Sequence, residues 1–571
     1  MDIARCHFVS FAGPSLEPPM QYSPLALACV MPLLSTLAMA DVTLQPKAGA
    51  PLEGLSLSQM EAFTIGSLSY QTPLTIATGL GPAFNKGGCM SCHANPLGGW
   101  GAIAVTRFGM DEKGEFVDIP ELGGSLLQAE AISQACREVI PPEATVTATR
   151  ITNSSLAFGM IEAIPDASIS TNEDPTDSNL DGISGRVHWV LPLEATAGSP
   201  LRAGRFGWKA QVATVLTFSG DASRNEMGLT NRLVPTETAP NGDELLLSQC
   251  DSVADPEDFA DVNGKHFIDR VTDFQRYLGP PPQTPKSGMS GESVFNAAGC
   301  ASCHIASWTT ANSKGLESAL RNKTIRPYSD FLLHDMGTLG DGVQQGDATE
   351  QEFRTPTLWN LRSRDPMLHN GTAAGGLFAD RVSSAILAHG PFGEGAASAA
   401  AFEALSASDK SSLITFLDSL GRAEFDFDGD GVRDLEDFTL LRSYAGTSTN
   451  PNLPGAVGDV DQNGIVNAID AMAFVGAIEN FEDPTRDCNS NGIADLVDIF
   501  NGTMPDADGD GRGDNCPTPC VGDFNSDGTV DASDLATLLN AWGTAGGDLN
   551  ADATTDAADL AVLLNGWGSC S

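Results

Sequence analysis

Apolar residues along the 571-residue chain come in short bursts separated by glycine, proline and acidic positions. Within it, loop-rich stretches are interrupted by a few segments with helical spacing of apolar positions. In 409–420 the positions Leu413, Ile414, Phe416, Leu417 and Leu420 share one helical face, and 290–298 reads as a helix leading into Cys300. Amphipathic segments also lie around 125–136 and 208–218. The run Gly279, Pro280, Pro281, Pro282 is stiff and predicts a boundary near 285. After 422 the pattern changes: polar loops alternate with short apolar helices expected at 535–542 and 560–567.

One longer apolar stretch, 23–40, ends in Ala38, Met39, Ala40 before Asp41, the form of a signal-peptide core and cleavage site. Little positive charge precedes it beyond Arg5, so a start at Met20 or a membrane anchor are alternative readings. No other segment approaches the length of a membrane span. The expected organisation is a leader (1–40), a first region (41–285), a second (286–422) and a tail (423–571). At this length more than one core is required.

Charge sharpens the picture. The chain carries 31 basic and 74 acidic residues, a net −43, which disfavours nucleic acid and anionic membrane as partners. The tail holds 28 acidic residues against four arginines and no lysine, and so accounts for 24 of those charges.

Cysteine usage supplies the chemistry. The string Cys-x-x-Cys-His occurs twice, at Cys89, Cys92, His93 and at Cys300, Cys303, His304. Two thiols three residues apart can bond the two vinyl groups of a porphyrin, and the adjacent imidazole is placed to ligate its iron. A zinc site would need a second Cys/His pair beside each motif, and neither has one. The expectation is two covalent haem c groups. The motifs resemble those of cytochromes c, and that resemblance implies export, with a periplasmic, secreted or cell-surface location. There Cys136 and Cys250 could pair, while Cys488, Cys516, Cys520 and Cys570 allow three connectivities.

The tail acids are spaced as well as numerous. Oxygen ligands at loop positions 1, 3, 5, 9 and 12, with a turn glycine at 6, make a calcium loop. Clear copies are Asp426, Asp428, Asp430, Asp434, Asp437; Asp459, Asp461, Asn463, Asn467, Asp470; and Asp523, Asn525, Asp527, Asp531, Asp534. Weaker copies run from Asp487 to Asp498 and from Asp506 to Asp514. A last copy, Asp548, Asn550, Asp552, Asp556, Asp559, has Ala553 at the turn position. Several calcium ions are expected, either stapling a stalk poor in apolar residues or shaping a docking surface.

The stretches GMIEAIPDASI (159–169), DSNLDGISGRV (177–187), GRFGWKAQVATVL (204–216), PYSDFLLHDMG (327–337) and EFRTPTLWNL (352–361) resemble bacterial di-haem oxidoreductases of the thiol oxidoreductase-like group. These are relatives of di-haem cytochrome c peroxidase and the methylamine utilisation di-haem enzyme. The resemblance spans about 60–422 and implies a mainly α fold of two cytochrome c-like haem domains with long irregular segments, followed by the calcium-loop repeats. It implies Trp208 as an electron bridge, Glu226 as the acid–base group of a peroxidase-like pocket at the first haem, and His389 as a second ligand beside His304. Tyr328, His334 and Met336 are rivals for that ligand position. Phe218 stands where many relatives carry a pocket glutamine, which favours electron transfer without turnover as an alternative. The loop Asp177, Asn179, Asp181 is a candidate inter-domain calcium site or an Asx turn. In the tail, the pair at 520–571 resembles type I dockerins, and 506–516 a thrombospondin type 3 repeat. Implied partners are a small redox protein or other electron donor or acceptor, and a cohesin-like or cell-surface protein.

Overall fold

The computed structural model describes residues 44–285, 289–448, 457–516, 521–525, 527–550 and 552–569. The expected leader, Cys520 and Cys570 lie outside the described residues. Helices carry the packing, and the strands form only small two- or three-stranded sheets. No helix among the described residues is long and apolar enough to cross a membrane.

The first region is built on three helices. Leu57–Gln71 begins at a capping box on Ser56 and packs along Phe267–Tyr277, and Val215–Met227 packs on the same partner. Close approach depends on Gly66, where a Cβ would lie 2.3 Å from the Arg270 carbonyl oxygen. Tyr70, Leu156, Met227, Val271, Phe274 and Leu278 are buried between them, with Cys89 at the edge. Each such fully buried large apolar side chain contributes about 1.5–3 kcal/mol.

Two segments expected to be amphipathic take other forms. In 125–136, Leu126 bridges to Arg107, Glu130–Ala131 pairs antiparallel with Ala83–Phe84, and Gln134–Cys136 is a single 3₁₀ turn. Strand partners distant in sequence override the local pattern. In 208–218, Ala210 at φ +52° turns the chain, and the helix starts only after Thr214, whose side chain accepts from the Thr217 amide.

The second region pairs Ser290–Ala297 with Ala407–Ser419, close to both expected helices. Gly291 permits the contact, since a Cβ there would meet the Ser412 carbonyl at 2.0 Å. Phe295, Leu361, Val382, Phe402, Phe416 and Leu417 fill this core. A central cluster is shared across the 285 boundary: Leu52, Phe158 and Phe206 pack with Trp308, Phe331 and Trp359. The proline run is itself partly buried, and Gly279 donates to the Ala50 carbonyl.

In the tail, short helices follow the acidic loops: Leu435–Ser443, Ala468–Val475, Asp495–Asn501, Ala532–Asn540 and Ala557–Asn565. The last two enclose Val530, Leu538 and Leu563, and Thr529–Val530 pairs with Gly568–Ser569.

Candidate functional site: two Cys-x-x-Cys-His turns and the rings between them

Both motifs fold as one tight turn. Cys89–Ser91 and Cys300–Ser302 are 3₁₀, and the amides of His93 and His304 donate to the Cys89 and Cys300 carbonyls at 3.0 and 2.9 Å. All four motif thiols are free, whereas Cys136 pairs with Cys250 and Cys488 with Cys516.

Each motif histidine is oriented through one ring nitrogen. His93 Nδ1 bonds the Gly99 carbonyl at 3.2 Å, with the Asn153 backbone also in reach of the ring, and His304 Nδ1 bonds the Tyr328 carbonyl at 2.9 Å, the orientation that in a haem site directs Nε2 to the metal. Burial pushes both imidazoles down to about 4, so they are neutral, as ligation requires.

Cys300, Cys303 and His304 line an open apolar cavity with about 1300 Å³ of empty space, its mouth included. That suffices for a macrocycle. His389 lines the same cavity, its Nδ1 bonded to the Ala385 carbonyl at 2.8 Å. Of the rival residues, His334 is fully engaged: Nε2 bonds Asp330 at 2.8 Å and Nδ1 bonds Glu394 at 2.5 Å. Burial acts to lower its pKa, but Asp330, Cys303 and Glu394 outweigh burial and hold it well above the ordinary value. The Tyr328 hydroxyl is bound between Arg326 and Glu292. Met336 lines the cavity.

One cavity residue had no signal in the sequence. His369 stacks on Phe353 at 4.0 Å and meets Trp208 edge-on at 6.0 Å. Its isolated position in LHNGT matches no spacing rule. Two guanidinium groups also line the cavity, Arg354 and Arg364, both buried and neither in a salt bridge. Burial pushes them down to about 10 and about 9. Asp330 offsets Arg354 only from a distance and no carboxylate among the described residues pairs with Arg364, so a group bearing carboxylates would supply counter-charge there, and thiols, imidazoles, apolar walls and cations together fit a haem.

Trp208 lies on this cavity wall, its indole N–H donating to the Ile151 carbonyl at 2.9 Å. The Arg364 guanidinium is 5.3 Å from its ring centre and 3.7 Å from that of Trp100. Trp100 belongs to the turn after His93, where it pairs with Asn95. The rings therefore run from the first motif to the second cavity.

Glu226 sits in the last turn of Val215–Met227, its carboxylate accepting from Asn85 Nδ2 at 2.8 Å. Burial raises its pKa; Asn85 and the charge of Arg107 pull the other way. Its charge also reaches Cys92, which brings it close to the first motif. Phe218 points elsewhere, edge-on to Phe158 and Phe206 in the central cluster. His188 bonds the Lys209 carbonyl and the Asp347 amide, and His266 bonds the Asp258 carbonyl.

The acidic loops share one local geometry. Position 12 (Asp437, Asp470, Asp534, Asp559) is buried and accepts from the amides at positions 2 and 9. Position 9 (Asp434, Asn467, Asp531, Asp556) caps the following helix, so its side chain is turned to backbone amides. Asp426, Asp428 and Asp437 bring ligand oxygens within 4.8 Å of one another, as do Asp459, Asp461 and Asp470. Ala553 adopts φ +70°, the conformation glycine takes in the other loops. In 177–182, Asp177 accepts from the Gly182 amide, Asn179 from the Asp181 amide and Asp181 from the Ile183 amide. That is an exposed Asx-turn network.

Residues 139–420 match the family described as "Di-haem oxidoreductase, putative peroxidase". That region carries a di-haem oxidoreductase-type domain, which includes the second motif and begins downstream of the first. Residues 424–479 match the dockerin type I domain. The dockerin match falls on the loops Asp426 to Asp437 and Asp459 to Asp470, ahead of the pair at 520–571 that prompted the resemblance. No curated protein matches the chain. Among solved structures, "Crystal structure of a MauG-like protein associated with microbial copper homeostasis" is 14% identical, covering 66% of this chain and 93% of that chain. Its TM-score is 0.29, at which the two folds do not superpose closely.

Proposed function

We propose that this oxidoreductase is exported, carries two covalent haem c groups, and reduces peroxide or a similar small oxidant at the first of them. Cys89, Cys92 and His93 would hold one haem; Cys300, Cys303, His304 and His389 the other. The carrying observation is the Trp100, Arg364, Trp208 ring series between the two motifs. When bound, the first group would supply a redox-active iron with a coordination position open to the oxidant. Reduction of peroxide to two waters takes two electrons from an external donor, such as a small redox protein, and two protons. Glu226, with its pKa raised by burial and its carboxylate steered by Asn85, would move one proton at the first site. Arg354 and Arg364 would face the carboxylates of the second group. The disulfides Cys136–Cys250 and Cys488–Cys516 fit an oxidising compartment.

Mass spectrometry of the mature chain should find one macrocycle adduct at each motif. Glu226→Gln should lower peroxide turnover about 10²–10⁴-fold, the usual contribution of a general acid–base group. Trp208→Phe should slow electron transfer between haems while both resting spectra persist. Two six-coordinate low-spin irons with no peroxide consumption would leave only the electron-carrier reading.

The tail supports a second reading, calcium-dependent docking to a cohesin-like partner. Leu539 and Trp542 are about half exposed (51% and 46%), and so are their repeat equivalents Leu564 and Trp567 (51% and 47%). A duplicated apolar pair on a calcium-loop module is a natural contact surface. Calorimetry with a cohesin module should show binding that chelator abolishes and that alanine at all four positions weakens. Binding unchanged in chelator would reduce the tail to a stalk.

A further inference from the structure

We propose that Glu237, Asp255 and Glu257 form a binding site for a hard divalent cation of the calcium class, separate from the tail loops and from both cysteine motifs. One oxygen of each carboxylate lies within 4.8 Å of the others. An ion that contacts oxygen at about 2.3–2.6 Å spans oxygen pairs up to roughly twice that distance, so the three suit a common centre. The donors are all oxygen, which selects calcium, magnesium or manganese over zinc or copper.

The cluster is more than a patch of surface acids. Glu237 and Glu257 are each only 7% exposed. Glu237 Oε1 is buried with no hydrogen-bond donor, although its carboxyl group faces the other two. A buried carboxylate oxygen with no donor keeps its full desolvation penalty unless something else fills the gap. Arg224 acts on Glu237 only from a distance, its guanidinium being bonded to the Thr236 carbonyl and Asn225. The other two acids are held in place: the Thr230 hydroxyl donates to Asp255 at 2.7 Å, and the Thr230 amide to Glu257 at 3.3 Å.

The site's position gives it a task. Thr230 lies four residues after Glu226, directly beyond the helix Val215–Met227. Its loop returns through Cys250, which is tied to Cys136. An ion joining Glu237 to Asp255 and Glu257 would fasten this strap beside the first motif.

Equilibrium dialysis of the full-length protein against calcium tests the assignment. The double variant Glu237→Gln, Glu257→Gln should bind one calcium fewer per chain, with the tail sites retained. An unchanged count in a variant that keeps its circular dichroism and its Cys136–Cys250 bond would overturn the proposal. Should the variant fail to fold, crystals of the unaltered chain soaked in terbium decide. An anomalous peak in contact with all three carboxylates is expected; occupied tail loops with no such peak would overturn it.

Discussion

Asp341 is the carboxylate shared by two buried cations, and its replacement by asparagine is the most discriminating stability test in the molecule. Its Oδ2 meets Arg150 Nε at 2.6 Å and its Oδ1 lies 3.5 Å from Lys209 Nζ. The three side chains are 5% exposed or less. Asp341→Asn preserves shape but leaves two desolvated positive charges without their counter-ion. Breaking a buried pair in this way costs about 3–5 kcal/mol. For a body of about 380 residues or more that lowers the melting midpoint by roughly 4–6 °C. Burial already depresses Lys209 from 10.5 to about 8, against the pull of Asp341. Between those values the folded chain sheds a proton that the unfolded chain keeps, so stability rises with pH across that window. The variant loses the opposing carboxylate, so its Lys209 releases the proton at still lower pH. Calorimetry should therefore show a deficit larger at about pH 6 than at about pH 9, shrinking until about pH 8, where the unaltered chain also loses the proton, and persisting above it because Arg150 stays charged. Tryptophan emission should shift too, since Lys209 sits 4.2 Å over Phe353, which meets Trp208 edge-on. A deficit below about 1 kcal/mol at neutral pH, or one equal at both pH values, would refute the argument.

Three further outcomes follow from local geometry. Ala553→Gly removes a left-handed penalty of about 1–2 kcal/mol and adds chain entropy worth about 0.5–1, so calcium should bind that loop a few-fold more tightly, as read by terbium luminescence. Serine at both Cys136 and Cys250 opens a crosslink spanning 114 residues and should cost about 2–5 kcal/mol in denaturant melts; an unchanged midpoint would mean that the bond constrains nothing. Chelation should melt the helices Ala532–Asn540 and Ala557–Asn565, detected as lost ellipticity. Nine-residue helices do not hold alone, and Asp534 and Asp559 would be left buried without the ion.

What the sequence discloses is what local spacing determines. The turns at Cys89 and Cys300, the helices Ser290–Ala297 and Ala407–Ser419 and the caps at Asp434 or Asp531 all depend on residues within a few positions of each other. The strand Glu130–Ala131 depends on Phe84, and the cavity depends on His369, Arg354 and Arg364 arriving from distant segments. Trp208 could be singled out by resemblance, but its link to Trp100 through Arg364 could not, because nothing near residue 364 in the chain signals two indoles. Glu237 and Glu257 were equally silent, twenty residues apart with no ligand spacing between them.

Arg362 and Arg364 turn this distant packing into a connection between the two halves of the protein. They flank Ser363 at the end of the 3₁₀ turn Leu361–Ser363. Arg362 donates to the backbone carbonyls of Asp428 and Gly429 and to Asp418 at 2.7 Å, while Arg364 reaches Trp100 and Trp208. Asp428 and Gly429 belong to the first dockerin loop, yet the carbonyls that Arg362 takes are not those at loop position 7 that calcium uses. An ion in that loop and the guanidinium would thus take different atoms without competing. Gln45 to Glu424 and Lys47 to Glu479, both at 2.7 Å, fix the same dockerin segment to the start of the first region. The first dockerin repeats are therefore fastened to the body that carries both cysteine motifs at several points, while the apolar pairs of the last two loops stay exposed.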